Sequence, residues 1–245
     1  MADLFYEEPR LARLYDVFDS DRSDLQVYVA IAEEVEARSV LDIGCGTGTL
    51  ACLLAQSGFD VVAVDPARAS LDIARAKPGA DRVRWIHGEV GDLGPLSIDL
   101  AVMTGNVAQV FVTDEEWEAM LRGTRAALRP GGRLVFETRV PERRAWESWT
   151  PEATRQRVDV ADEGIVTSWH EVTGVGDGRV TFSTVVMFEE DGSMFRSEST
   201  LRFRERESVE RSLASAGFQI EEVRDAPDRP GKEWVFVARL PGTTD

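Results

Sequence analysis

The stretch Val40-Leu41-Asp42-Ile43-Gly44-Cys45-Gly46-Thr47-Gly48-Thr49-Leu50 decides how the rest of the chain is read. Its apolar first half predicts a short strand over Ser39–Ile43. Three glycines at alternate positions predict a turn, and a helix follows over about Thr49–Gln56, ended by Ser57-Gly58. Glycine lets a backbone take positive φ, or approach a ligand with no Cβ in the way. A loop of this kind between a strand and a helix N-terminus can hug a nucleotide-like ligand. The dinucleotide fingerprint Gly-x-Gly-x-x-Gly, counted from Gly44, puts its third glycine on Thr49. The spacing present is instead Asp-x-Gly-x-Gly-x-Gly.

Outward from this loop, strand and helix alternate. An apolar run at Asp60–Val64 ends in Asp65-Pro66, and a helix over about Arg68–Ala76 stops at Pro78-Gly79. Further strands are expected at Arg82–His87, Ile98–Met103 and, after the turn Arg129-Pro130-Gly131-Gly132, Arg133–Thr138. Thr113 followed by Glu116 is a capping box opening a helix whose buried stripe is Trp117, Met120, Leu121, Thr124 and Leu128. Strands alternating with helices of this length mean a parallel sheet covered on both faces. Upstream, Leu11, Leu14, Tyr15 and Phe18 predict a short helix. Asp24 through Ala37 predicts another, with Asp24 as its cap and Leu25, Val29, Ala32 and Val35 as its apolar face.

The pattern changes at Pro141. Trp146 and Trp149 stand among charges, and the helical period is lost from Gly164 to Arg204. Three strands are expected there: Ile165–Val172, Arg179–Glu189 and Met194–Arg204, the last two joined by an Asp191-Gly192 turn. Val180, Phe182, Thr184, Val186 and Phe188 share one face, as do Phe195, Leu201 and Phe203 on the next strand, so the inserted sheet is antiparallel with one apolar face. A helix, Glu207–Ala216, then leads to strands Phe218–Arg224 and Glu233–Leu240. The link between these two is too short for a crossover helix, so they pair antiparallel.

Composition bounds the answer. The chain has 245 residues, 43% of them hydrophobic, enough for one large α/β domain or one domain with an insertion. No run of about 18 apolar residues is present, so no membrane span is expected. Met1 to Arg10 lacks an apolar core and reads as neither a secretory nor a transit segment. Cys45 and Cys52 suggest neither a disulfide framework nor a metal pattern, which fits a reducing, cytoplasmic setting. The net charge of −16 repels phosphate backbones and argues against a nucleic acid partner.

The motifs Val-Leu-Asp-Ile-Gly-Cys-Gly-Thr-Gly (40–48), Val-Val-Ala-Val-Asp-Pro (61–66), His-Gly-Glu-Val-Gly-Asp-Leu (87–93), Asp-Leu-Ala-Val-Met-Thr-Gly-Asn-Val (99–107), Leu-Arg-Pro-Gly-Gly-Arg-Leu-Val-Phe (128–136) and Leu-Ala-Ser-Ala-Gly-Phe (213–218) together resemble those of class I S-adenosylmethionine-dependent methyltransferases. The resemblance implies an α/β fold: a seven-stranded Rossmann-like sheet, last strand antiparallel, with helices on both faces. Residues 1–140 and 205–245 would form the cofactor domain, with 1–23 covering the cofactor. Residues 141–204 would be an inserted lid and antiparallel sheet, a substrate or dimer region. Cofactor-binding candidates are Tyr15, Asp42, Gly44, Cys45, Gly46, Gly48, Asp65, Pro66, Glu89, Val90, Thr104, Gly105 and Asn106.

Within that resemblance Asp65 would accept from two ribose hydroxyls, or else cap the helix after Pro66. Asp42 would lie under the methionine ammonium, and Glu89 would face the adenine amino group, with Asp92 as its rival. Thr104, Gly105 and Asn106 would line the mouth near the transferred methyl. Tyr15 would reach the amino-acid end of the cofactor or simply pack. The implied reaction is direct in-line transfer to an O or N of a small molecule. It requires no metal, and no ligand cluster is seen, since His87 and His170 are the only histidines. His170 is the candidate general base, or a surface strand histidine; His87 is a core or adenine-side residue. Trp146 and Trp149 are candidates for a substrate lid, for packing, or for a homodimer interface on the sheet's apolar face. Two other readings stay open: an NAD(P)-dependent oxidoreductase, and a non-catalytic S-adenosylmethionine-binding protein.

Overall fold

Burial of alternate strand residues on two opposite faces explains the layers. The computed structural model describes residues 3–94 and 96–242. Its strands are β1 (Ser39–Ile43), β2 (Asp60–Asp65), β3 (Val83–His87), β4 (Ile98–Met103), β5 (Leu128–Arg139), β6 (Gln156–Val160), β7 (Gly164–Gly176), β8 (Arg179–Phe188), β9 (Met194–Arg202), β10 (Gln219–Asp225) and β11 (Glu233–Arg239). Its helices are α1 (Leu4–Glu7), α2 (Pro9–Ala12), α3 (Tyr15–Phe18), α4 (Gln26–Glu34), α5 (Thr49–Gln56), α6 (Arg68–Arg75), α7 (Asp114–Ala127), α8 (Pro151–Thr154) and α9 (Arg206–Ser215). No helix among the described residues is long and apolar enough to cross a membrane.

Seven strands form one sheet in the order β3-β2-β1-β4-β5-β11-β10. β11 runs antiparallel to β5 and to β10, and every other pair is parallel. Val40, Leu100, Val102 and Val135 pack on one face with Leu50 and Leu54 of α5 and Ile31 of α4. Their neighbours Leu41, Ala101, Met103, Leu134 and Phe136 pack on the other with Trp117 and Leu121 of α7 and Leu213 of α9. The strand order reverses between β1 and β4, which leaves a crevice beyond their carboxyl ends.

The capping box forms as expected: Thr113 Oγ1 accepts from Glu116 N at 3.1 Å, and Glu116 returns the bond to Thr113 N at 2.9 Å. Ala127, not Leu128, completes the buried stripe of α7, because Leu128 already belongs to β5. β5 thus starts earlier than expected, with Gly131 at φ 83° and a register shift against β4 taking up the predicted turn. The helix expected from Asp24 starts as α4 only at Gln26, after a 3₁₀ turn at Ser23–Leu25. Asp24 caps nothing; its carboxylate sits 3.6 Å from Arg22 Nε. The single helix expected around Leu11–Phe18 is instead two short ones, α2 and α3, with α1 preceding them. Leu11 and Leu14 face the inserted sheet while Tyr15 faces the crevice, and one continuous helix does not serve both.

The inserted sheet has four strands, β6-β7-β8-β9, not three. β6 escaped the sequence pattern because this edge strand is polar and mostly exposed. The sheet's apolar face, Val166, Val186 and Phe188, is covered by Leu11 and Leu14 of the chain's own N-terminal segment. Trp146 and Trp149 are packing residues: both lie against Phe203, and Trp149 also meets Phe182 at 5.0 Å.

Gly48, at φ 78°, is the residue before α5, and a Cβ there would lie 2.4 Å from the Trp85 ring and 2.7 Å from Ala74. At Gly46, φ 52°, a Cβ would meet nothing within 4 Å. Left-handed strain of about 1–3 kcal/mol is common to both positions, so only the overlap separates them. Gly48→Ala is expected to lower the melting temperature by roughly 5–10 °C, and Gly46→Ala by clearly less. Equal shifts in thermal unfolding would show that the Trp85 contact is not what requires a glycine at 48.

Candidate active site

The crevice at the strand-order reversal opens into a cavity of about 770 Å³, within the range of small-molecule sites. One wall is the first βα loop, Asp42 to Thr47, and the end of β2, Asp65 to Ala67. A second is the turn after β3, Gly88 to Gly91, with the start of α7. Thr104, Gly105 and Val107 form the floor after β4. Asp3, Tyr6, Tyr15 and Arg22 from the N-terminal segment close one side, and Glu198 and Thr200 of β9 reach in from the inserted sheet. A second hollow, of about 350 Å³, lies between Arg143 and the β10–β11 connection, and none of the glycine-loop residues lines it.

The loop's shape is fixed by backbone bonds and one side chain. Gly44 N and Cys45 N both donate to Val64 O, at 2.9 and 3.2 Å. Gly46 N donates to Asp65 Oδ2 at 2.8 Å, and Ala67 N to Asp65 Oδ1 at 2.7 Å. Asp65 therefore caps the turn into α6 and braces the glycine loop together. Each oxygen still has acceptor capacity toward the cavity. Burial raises its pKa, and the two backbone donors oppose that shift. Gly44 is a close-approach glycine: a Cβ there would come within 2.7 Å of Val107.

Asp42 is an unsatisfied carboxylate in the site. It is 1% exposed, lines the cavity, and its buried Oδ2 has no hydrogen-bond partner. Burial, helped by the nearby Asp65 charge, pushes its pKa up to about 7. Cys45 also lines the cavity, and burial holds its thiol well above its ordinary pKa, which disfavours the thiolate.

Of the residues singled out from sequence, Tyr15, Asp42, Gly44, Cys45, Gly46, Asp65, Pro66, Glu89, Val90, Thr104 and Gly105 all line the cavity. Gly48, Asn106 and His170 do not. Gly48 packs on Trp85 and Ala74. Asn106 is turned into a buried network: its amide donates to Glu233 at 3.1 Å and its backbone N–H to Glu137 at 3.1 Å. His170 lies on β7 against Phe182, with Nδ1 3.1 Å from Thr184 Oγ1, and burial lowers its pKa. Asp92 is spent on the capping box with Glu89. His87 Nε2 is 3.0 Å from Pro66 O, outside the cavity wall. Sequence reasoning missed Tyr6, Arg22, Phe111, Glu198 and Thr200, which come from distant segments with no shared spacing.

Comparison with known proteins agrees with this geometry. Residues 40–132 match the methyltransferase domain family. The chain is 34% identical to the cypemycin N-terminal methyltransferase of a Streptomyces species over 140 residues, 56% of this chain and 57% of that protein. It spans about half the length of the curated relatives it matches. The solved structure of the CcbJ methyltransferase from Streptomyces caelestis superposes with a TM-score of 0.74 at 21% identity, covering 94% of this chain and 96% of that one. The sugar N-methyltransferase KedS8 from a Streptoalloteichus species gives 0.70 at 21% identity, covering 91% and 92%. The fold is that of S-adenosylmethionine-dependent methyltransferases of known structure, and the match to the methyltransferase domain family falls on residues 40–132, which include the glycine loop.

Asp42 also makes stability depend on pH. Its native pKa, about 7, lies above the ordinary 3.8, so the native state holds the proton more tightly than the unfolded chain does. The resulting cost is absent below about pH 4, grows as pH rises, and is complete above about pH 7. Asp42→Asn is expected to raise the melting temperature at pH 8, by on the order of 2–4 kcal/mol of stability, with the gain shrinking toward pH 4. A gain independent of pH would mean that the buried charge is not its source.

Proposed function

We propose that the protein is an S-adenosylmethionine-dependent methyltransferase acting by direct in-line transfer on an O or N of a small molecule. The observation that carries this reading is the pair of carboxylates at the ends of β1 and β2. Asp42 is buried without a partner, and Asp65 keeps acceptor capacity on both oxygens beside a glycine, Gly46, whose Cβ would enter open space. A buried carboxylate with no partner is costly, and a ligand ammonium relieves that cost. Two acceptors in one plane suit two vicinal ribose hydroxyls. The residues thus fit the cofactor that the fold family uses.

When bound, that cofactor supplies a methyl group already activated on a sulfonium. The chain's task is to hold and orient. Asp65 would grip the sugar. Glu89 and the buried Val90 would flank the adenine. Thr104 and Gly105 would set the floor where acceptor and methyl meet. Alignment of this kind is worth up to about 7–11 kcal/mol in the best model reactions. Among the described lining residues the proton acceptors are carboxylates, tyrosines and threonines, with no imidazole, so His170 is dropped as the base. The acidic wall, with Asp3, Glu89 and Glu198, disfavours phosphate-rich acceptors, consistent with a small, non-nucleic-acid substrate. The sugar N-methyltransferase among the fold neighbours supports a small acceptor, and the entry of β9 into the cavity supports a role for residues 141–204 in selecting it.

Calorimetric titration with S-adenosylhomocysteine tests the reading. Saturable binding is expected, weakened at least tenfold by Asp65→Ala, with no binding of NADH. No heat from S-adenosylhomocysteine, or an Asp65→Ala variant that binds unchanged, would overturn it.

A further inference from the structure

The inserted sheet meets the cavity through the edge of one strand. β9 is last in the order β6-β7-β8-β9, so one of its sides has no strand beside it. Of the described residues in that sheet, only Glu198 and Thr200 line the cavity. The Thr200 hydroxyl is already engaged, 2.8 Å from Thr181 Oγ1, so the polar groups it has left to offer are those of its main chain.

The direction of that main chain follows from the ladder. At the two ends of the β8–β9 pair, Phe188 N donates to Ser193 O at 2.9 Å and Phe203 N to Gly178 O at 2.7 Å. In an antiparallel pair, residues that exchange bonds alternate with residues that do not. Counted from either end, Thr184 opposite Ser197 and Phe182 opposite Ser199 are bonded positions, and Glu198 and Thr200, opposite Ser183 and Thr181, fall between them. The N–H and C=O groups of Glu198 and Thr200 therefore turn away from β8, and no described main-chain group bonds them. Arg202 has the same parity, and its carbonyl shows where the edge points: it accepts from Gln109 Nε2 at 3.4 Å. Gln109 ends the 3₁₀ turn Val107–Gln109, directly after the cavity floor. The free edge is thus stopped beside the floor and open at its other end, where Met194 is 61% exposed.

An unpaired main-chain edge recognises another main chain. Antiparallel addition continues the pairing of this sheet and sets the N-terminus of the added strand at the Gln109 end. Two edge residues span only roughly 7 Å, room for the end of a chain. Charge selects the same end. Beyond Asp42, Asp65 and Glu89 the wall carries Asp3, Glu115 and Glu198, and Arg22 is the one cation among the described lining residues, so the wall attracts an ammonium and repels a carboxylate.

We propose that the methyl acceptor is the N-terminal amine of a short peptide that adds to β9 as an antiparallel strand, its first residue opposite Thr200 and its third opposite Glu198. The inference rests on the methyltransferase reading and narrows its acceptor atom to nitrogen. The peptide ammonium gives one proton to solvent. The nitrogen lone pair then forms the bond to the methyl carbon as the carbon–sulfur bond breaks with its electron pair staying on sulfur, leaving an N-methyl ammonium and a neutral thioether.

The test uses the full chain and a panel of tripeptide amides, X-alanyl-alanine amide, titrated calorimetrically with and without S-adenosylhomocysteine. At least one member should bind, and its N-acetylated form should bind at least tenfold more weakly. Replacing the third residue's amide N–H by an ester oxygen should weaken binding roughly tenfold, as for loss of a hydrogen bond. The same change at the second residue, whose N–H points away from the edge, should cost less than threefold. Thr200→Pro removes an outward N–H and no ladder bond; it should weaken the peptide about tenfold while S-adenosylhomocysteine still binds, and Glu198→Pro replaces it if that variant does not fold. With S-adenosylmethionine, one methyl group should appear on the N-terminal nitrogen. The proposal is overturned if no peptide binds, if propylamine binds as tightly as the best peptide, or if the two esters weaken binding equally. A protein that binds the peptides in this alternating manner but not S-adenosylhomocysteine keeps the edge site and loses the methyltransferase reading.

Discussion

The bond from Gly46 N–H to Asp65 Oδ2 is the joint on which the site depends. It ties the loop after β1 to the end of β2, and the second oxygen of the same carboxylate starts the turn into α6. One side chain thereby sets the distance between two strand ends and the entry of a helix. The loop cannot drift from β2, because Gly44 and Cys45 also donate to Val64. Nor can it move toward β4, where Gly44 touches Val107 with no room even for a methyl group. Held on both sides, the loop presents Gly46 to open space.

Rigidity at the floor comes from a different source. The turn after β4 is locked from beneath by a buried polar network: Glu137 receives Asn106 N–H and the Tyr28 hydroxyl, while Glu233 receives the Asn106 amide and Arg229. Burying two carboxylates is tolerable because each has several donors. Asn106 accepts a left-handed φ of 61° in return for two of these bonds. Both carboxylates of this network are paired, although Asn106 Oδ1 is left without a partner; Asp42, by contrast, is a carboxylate with an unpartnered oxygen facing the cavity.

What could be read from sequence follows from the same distinction. The glycine loop, the apolar strands and the Thr113–Glu116 box are local signals, each set by residues adjacent in the chain, and their elements fell within a few residues of expectation. The role of each glycine was not local: Gly46 and Gly48 share a motif and a positive φ, yet only the position of Trp85 makes one a packing residue. Asn106 follows Thr104 and Gly105 in sequence, but its side chain answers to Glu233, on the last strand. β6 was invisible because an exposed edge strand has no apolar alternation to betray it. Arg22 was invisible because it reaches the cavity from the turn between α3 and α4, outside every motif of the sheet.

The inserted sheet and the N-terminal segment cannot be considered apart. Phe5 N donates to Ser197, Arg10 pairs with Glu163 and Asp191 and lies 3.6 Å over the Phe188 ring, and Leu11 and Leu14 fill the sheet's apolar face. On its other side the same segment bonds α6 through Glu7 and Tyr6, and the glycine loop through Asp16. Residues 3–20 therefore bridge the layer that would hold the cofactor and the sheet that brings Glu198 and Thr200 to the cavity. Movement of this strap away from the glycine loop would carry Tyr6, Tyr15 and Arg22 with it and open the cavity on one side. A site assembled this way owes two of its walls to one short segment, which touches both the glycine loop and the four-stranded sheet.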